Sequence, residues 1–121
     1  MINGLGLDLA ELERIERLIM RQPKFIDRIL TEREKDKYQS LAQRRKIEYA
    51  AGRFAAKEAF SKAMGSGIGK IYSFNDIEIL NDGNGKPAVT MPVLPGYIIH
   101  ISITHTKDYA AAQVIIESSS S

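Results

Sequence analysis

Asp8 follows Gly6-Leu7, and Glu58 lies within Arg53-Phe54-Ala55-Ala56-Lys57-Glu58-Ala59-Phe60-Ser61-Lys62. These are two acids set among bases. Two carboxylates, completed by waters and a phosphate oxygen, are the usual protein share of a Mg²⁺ site, because this ion keeps several waters. Arg53, Lys57 and Lys62 surround Glu58 in sequence and bring the positive charge that phosphates require. A metal beside a basic cradle is the layout needed to move a phosphate-linked group. Each half also has a plain structural reading. Asp8 suits the cap of a helix starting at Leu9. Glu58 and Lys62 suit an ordinary i,i+4 ion pair, worth about 0.2–0.5 kcal/mol.

Helical geometry separates these readings. At about 100° per residue, Ile47, Ala51, Phe54 and Glu58 fall on one stripe. An acid in line with Phe54 is expected to be partly buried, and a buried carboxylate needs a cation.

Other candidates are weaker. His105 follows Ser102-Ile103-Thr104 in a turn near Lys107, where it suits phosphate contact. His100 and His105 are five apart, which puts them on opposite faces of a strand and excludes joint metal ligation. Gly65 to Gly69 forms a glycine-rich loop whose backbone N–H groups suit a phosphate. It lacks the Gly-Lys-Ser/Thr ending of a P-loop, so NTP hydrolysis of that type is excluded. No Ser-His-Asp or nucleophile-elbow pattern is present.

The elements that must position these residues read as follows. Ile2 to Leu7 predicts a short strand ending at Asp8. Leu9, Leu12, Ile15, Leu18 and Ile19 carry a helical period through Met20. Pro23 opens a short helix over Lys24 to Leu30. Thr31 and Glu34 match a capping box, so a third helix runs from there to about Leu41. A long helix covers about Arg44 to Met64. Strands are predicted at Phe74 to Leu80, Ala88 to Met91, Ile98 to Thr104 and Tyr109 to Glu117. The turn Asn81-Asp82-Gly83-Asn84-Gly85-Lys86-Pro87 joins the first two. The order predicts an α+β domain, with an N-terminal strand, three to four helices and an antiparallel β-meander. Residues 1–117 read as one domain, and the serines from Ser118 to Ser121 as a disordered tail.

A chain of 121 residues suits one domain with a modest core. Net charge is +2, too little for a general polyelectrolyte binder. The bases concentrate in residues 14 to 62, so a basic helical half facing an acidic partner or a polyphosphate is expected. Cysteine is absent, which excludes disulfides and thiolate metal sites and agrees with a reducing cytoplasm. No apolar run approaches the roughly 20 residues of a membrane span.

Taken together, the motifs resemble the small 4′-phosphopantetheinyl transferases of the holo-acyl-carrier-protein synthase type. The resemblance extends from Ile2-Asn3-Gly4-Leu5-Gly6-Leu7-Asp8 to Tyr109-Ala110-Ala111-Ala112-Gln113-Val114. Gly6-Leu7-Asp8 matches the family's Gly-x-Asp motif. Phe54 to Lys62 matches its aromatic-x-x-Lys-Glu-Ala-x-x-Lys motif, and Ser102-Ile103-Thr104-His105 a looser third. Phe54 and Thr104 stand where the family often has Trp and Ser.

The resemblance implies transfer of the 4′-phosphopantetheine arm of coenzyme A to a serine of apo-acyl carrier protein, in support of fatty acid biosynthesis. Adenosine 3′,5′-bisphosphate would leave. It implies Mg²⁺, or Mn²⁺ in its place, on Asp8 and Glu58. Lys62 would meet the pyrophosphate, and Arg53 and His105 the nucleotide phosphates. Asn84, Gly85, Lys86 and Pro87 would form the adenine-side wall. A metal-bound water and Glu58 both suit the general base. Arg14, Arg17, Arg21, Lys24, Phe25 and Arg28 would dock the acidic carrier protein. A homotrimer with active sites between subunits is implied as well. Two rival readings of the residues are a nucleic-acid-binding module on the basic helices and a structural oligomerisation domain. The first gives Asp8 and Glu58 no work and lacks an aromatic stacking strand; the second reduces Glu58 and Lys62 to an ion pair.

Overall fold

The computed structural model describes residues 1–119. Strand β1 (Ile2–Glu11) leads into helices α1 (Leu12–Arg21), α2 (Phe25–Ile29), α3 (Glu32–Gln39) and α4 (Gln43–Ala63). Strands β2 (Glu78–Asn81), β3 (Pro87–Met91), β4 (Tyr97–His105) and β5 (Tyr109–Ser118) follow. The α+β order is the one predicted. The strands are all antiparallel but form two ladders, a β2–β3 hairpin and a three-stranded sheet ordered β1–β5–β4.

Helix α4 crosses the inner face of that sheet and forms the centre of the core. Its buried face is mostly alanine: Ala50, Ala51, Ala55, Ala56, Ala59 and Ala63, with Ile47 and Phe60. Small side chains let backbone approach backbone. Gly4 and Gly6 of β1 complete this. A Cβ at Gly6 would overlap the Ala59 carbonyl oxygen, and one at Gly4 the Ala63 carbonyl oxygen. Only glycine fits where the strand lies this close to the helix.

Strand β1 is longer than predicted. Leu9 pairs with Ala111 and Glu11 with Tyr109, so the strand passes through Asp8 and the helix starts at Leu12. Leu9 happens to fit the helical period of α1, but it also continues the outward series Leu5, Leu7, Leu9 along the strand. Asp8 is therefore paired mid-strand with Ala112 and caps no helix. The expected capping box is present: the Thr31 hydroxyl accepts from the Glu34 amide, and the Glu34 carboxylate from the Thr31 amide. Phe74–Asp76 is a single 3₁₀ turn rather than the start of a strand, because Ser73 and Asp76 form a capping box of their own. Two serines expected in the tail, Ser118 and Ser119, are tied into the fold. Ser118 belongs to β5, and the Ser119 amide donates to the Gly96 carbonyl at 2.9 Å. Residues 120–121 lie outside the described residues.

Candidate active site

Register and close packing bring the two predicted carboxylates together. Asp8 points from β1 to the α4 side of the sheet, alternating with the outward Leu7 and Leu9. Glu58 sits one turn before Lys62 on α4. Lys62 Nζ donates to Asp8 Oδ1 at 2.8 Å and to the Leu7 carbonyl at 3.1 Å. Glu58 is half-buried. Burial pushes its carboxyl above the usual carboxylate range, the charge of Asp8 adds to this, and Lys62 and Arg14 oppose it. Asp8 is thus close enough to Glu58 for the two charges to repel.

Lys57 does not join this cluster. It is fully buried and points away, toward α2 and α3. It stands one residue, or about 100°, around the helix from Glu58, and its ammonium is held by Glu34 and two carbonyls. The expectation of three bases around Glu58 is corrected to Lys62, with Arg14 at longer range. Arg14 comes from α1, its guanidinium 5.9 Å from the centre of the Phe54 ring.

The second part of the site is a groove of about 310 Å³ beside α4. It is lined by Tyr49, Gly52 and Arg53 of α4, Gly85 and Pro87 of the β2–β3 turn, and His105 at the end of β4, among others. Arg53 is fixed from three sides. Its Nε donates to the Ile79 carbonyl at 3.1 Å and its Nη2 to Asn81 Oδ1 at 3.1 Å. Its guanidinium lies 4.4 Å above the Tyr49 ring. His105 Nδ1 lies 3.6 Å from Glu48 Oε2. The β2–β3 turn is held by Asp82, whose Oδ1 accepts from the Asn84 and Lys86 amides at 2.8 and 3.0 Å. Gly85 takes φ +80° there, a conformation that suits glycine. Of the four turn residues expected to form the wall, Gly85 and Pro87 line the groove.

Two further expectations resolve differently. The amides of Ser66 and Gly67 both donate to the Ser61 carbonyl, so the glycine-rich loop caps α4 rather than presenting free donors to a phosphate. Phe25, expected on the docking face, is 6% exposed and packs against Phe54, so it supports that face from beneath. Arg17 is paired with Glu13 at 3.0 Å, while Arg21, Lys24 and Arg28 are exposed. Sequence reasoning missed Tyr49, Gly52 and Glu48 in the groove. Tyr49 was findable, since it lies four residues before Arg53 on the same helix face.

The family model for the 4′-phosphopantetheinyl transferase superfamily matches residues 4–114. The chain belongs to this family. Its chemistry is accordingly transfer of the 4′-phosphopantetheinyl group. Among its relatives is the holo-[acyl-carrier-protein] synthase of Geobacillus sp. strain WCH70, 60% identical over 97% of this chain and 98% of the relative. The Bacillus subtilis holo-[acyl-carrier-protein] synthase is 58% identical over the full length of both. Among solved structures, a holo-(acyl-carrier-protein) synthase from Bacillus anthracis in complex with CoA (3′,5′-ADP) superposes with a TM-score of 0.90. It is 51% identical, with 98% of this chain and 99% of that one covered. The match of whole transferase chains to this one makes the nucleic-acid-binding and purely structural readings unnecessary.

Proposed function

We propose that this transferase takes the 4′-phosphopantetheine arm from coenzyme A and places it on a serine of an apo-acyl carrier protein. The observation that carries this reading is the adjacency, along α4, of a carboxylate pair with a half-exposed lysine and a groove with a fixed arginine. Arg53, more than a helical turn before Glu58 on α4, and His105 line the groove, which suits the nucleotide end of coenzyme A. Lys62 stands at the carboxylates, which suits the pyrophosphate. The serine oxygen forms a bond to the phosphorus next to the pantetheine arm. The bond from that phosphorus to the bridging oxygen breaks, adenosine 3′,5′-bisphosphate leaves with the electron pair, and the serine hydroxyl proton passes to Glu58 or to a water.

Asp8 and Glu58 fit a divalent cation. Among the described residues there is no group of three or more metal-ligating side chains, and an all-protein cage is therefore not formed. Two carboxylates suit Mg²⁺, or Mn²⁺ in its place, with waters and pyrophosphate oxygens as the other ligands. When bound, the ion offsets negative charge on the pyrophosphate and on the leaving group. Lys62 can exchange Asp8 for a phosphate oxygen, since its side chain is half-exposed. Arg53 cannot move freely and acts as a fixed donor.

The outward face of the β1–β5–β4 sheet supports a homotrimer. Leu5, Leu7 and Leu9 are each about 60% exposed there, with Ile98 and Tyr109 also exposed on the same face. An apolar row of this length on one sheet face needs a cover. His105 ends β4 at the edge of this sheet, so an adjoining subunit would border the groove. No helix among the described residues is long and apolar enough to cross a membrane, and a cytoplasmic setting accompanies this reading.

The test is incubation with coenzyme A, Mg²⁺ and apo-carrier protein. A gain in carrier mass equal to the phosphopantetheine arm supports the reading, and its loss with a carrier whose acceptor serine is replaced by alanine ties the gain to that residue. An unmodified carrier overturns it.

A further inference from the structure

Glu34 and Lys57 belong neither to the groove nor to the carboxylate pair, and both are fully buried. Lys57 Nζ donates to Glu34 Oε1 at 2.6 Å, the Ile29 carbonyl at 2.7 Å and the Phe74 carbonyl at 3.0 Å. All three ammonium protons thus have acceptors. Glu34 is equally committed. Its Oε1 also accepts from the Thr31 amide at 2.8 Å, and its Oε2 from the Ile79 amide at 2.8 Å. Desolvation pulls the Lys57 ammonium below its ordinary range, with Glu34 acting against it.

A buried ion pair is a poor way to gain stability, since an apolar pair of the same shape often does as well. What this one fixes is more telling. Ile29 ends α2, Glu34 lies in the first turn of α3, Phe74 sits in the 3₁₀ turn and Ile79 in β2. All are tied to the residue immediately before Glu58. Turning α4 about its axis so as to move Glu58 would pull the ammonium off three acceptors at once. The stack of Phe25, Phe54 and Phe74 continues the joint, with centroid separations of 6.2 and 5.2 Å. Phe25 comes from α2 and Phe54 from one turn before Glu58.

We propose that the Glu34–Lys57 pair is a positioning device, which locks the α2 part of the basic face to the Glu58 turn of α4. A carrier docked on that face then delivers its serine at a fixed distance from Asp8 and Glu58. The proposal rests on the transferase reading with the carrier on α1–α2, and it assigns Lys57 no contact with either substrate.

The test compares Lys57→Met with the double variant Glu34→Gln/Lys57→Met, which leaves no unpaired buried charge. The single variant loses stability. The double variant regains melting temperature relative to the single one, yet its kcat stays about 10- to 100-fold below wild type, as expected for a small misplacement of reacting groups. Its dissociation constants for coenzyme A and for the carrier, measured separately by calorimetry, stay at wild-type values. A double variant with wild-type kcat overturns the proposal, as does one whose loss lies in either dissociation constant. If the double variant does not fold, Glu34→Gln alone is read by the same criteria on its folded fraction. Wild-type protein that leaves the carrier unmodified would instead remove the transferase reading, a separate outcome.

Discussion

Lys62 donates to the Asp8 carboxylate across the strand–helix contact at 2.8 Å rather than to Glu58, its i−4 neighbour on the same helix. The ammonium therefore stands where a divalent cation would be held. Under the proposed function, lysine and a divalent cation would compete for Asp8, and a displaced Lys62 would be free to turn toward a phosphate.

Replacing Lys62 by Met should separate these two roles. Divalent binding to the free protein should tighten several-fold, since the competing charge is gone. Turnover should fall by roughly 10²-fold or more, the usual cost of removing a charged donor from a developing anion. Mn²⁺ titration followed by electron paramagnetic resonance reads the first effect, and steady-state kinetics the second. Weaker Mn²⁺ binding in the variant would mean that Lys62 supports the site rather than competing for it.

On the proposed reading, Asp8→Ala and Glu58→Ala each remove half of the protein's share of a cation site. Each should lower kcat/KM by about 10³-fold or more, with melting temperature little changed, and excess Mg²⁺ should not restore it. Near-complete rescue at high Mg²⁺ would reassign the carboxylate in question.

The raised pKa of Glu58 has consequences for stability. A carboxyl held above its unfolded value favours the fold when protonated. That contribution is complete below the ordinary carboxylate pKa and is lost as pH rises through the raised value. Glu58→Gln should therefore raise the melting temperature of the metal-free protein at neutral pH by a few degrees at most. The gain should vanish below the ordinary carboxylate range. Divalent affinity of the wild type, on the proposed reading, should run the other way and climb as pH rises and Glu58 ionises. A gain that is equal at every pH would point to packing instead.

The fold order and the carboxylate pair were legible because their signals are local. Alternation, a capping box and a nine-residue motif can be read along the chain. What was not legible depends on facing. Lys57 and Glu58 are neighbours in sequence but lie about 100° apart on α4, so one enters the core and the other the site. Which base lies near Glu58 follows from where α2 and α3 pack, and no local pattern carries that. Phe25 went below the docking face for the same reason. The role of Gly6 was half legible: the motif was visible, but the carbonyl it must clear belongs to a helix more than fifty residues away.

Gly6→Ala tests that close approach. The added Cβ overlaps the Ala59 carbonyl oxygen, which cannot rotate away as a flexible side chain could. Strand β1 must shift from α4, carrying Asp8 away from Glu58. Overpacking of this kind costs about 1–3 kcal/mol, measurable by urea unfolding. Mn²⁺ affinity should fall in the folded variant. Unchanged metal affinity together with a stability loss would show that the glycine serves packing alone.

The docking face is best tested away from the carboxylates. Arg14 carries charge toward Glu58 and Arg17 is already paired with Glu13, so reversing either would confuse two effects. Arg21 and Arg28 are exposed. Acidic carriers should be drawn to them, and opposite charge acts mainly on encounter and orientation. Reversing both to Glu should raise the carrier KM by tenfold or more and leave coenzyme A affinity unchanged. Added salt should slow the wild-type reaction, because exposed charges are screened beyond about 8 Å at physiological ionic strength. The reversed variant should lose that dependence or invert it. If it uses the carrier as well as wild type does, with the same response to salt, the carrier docks on another face.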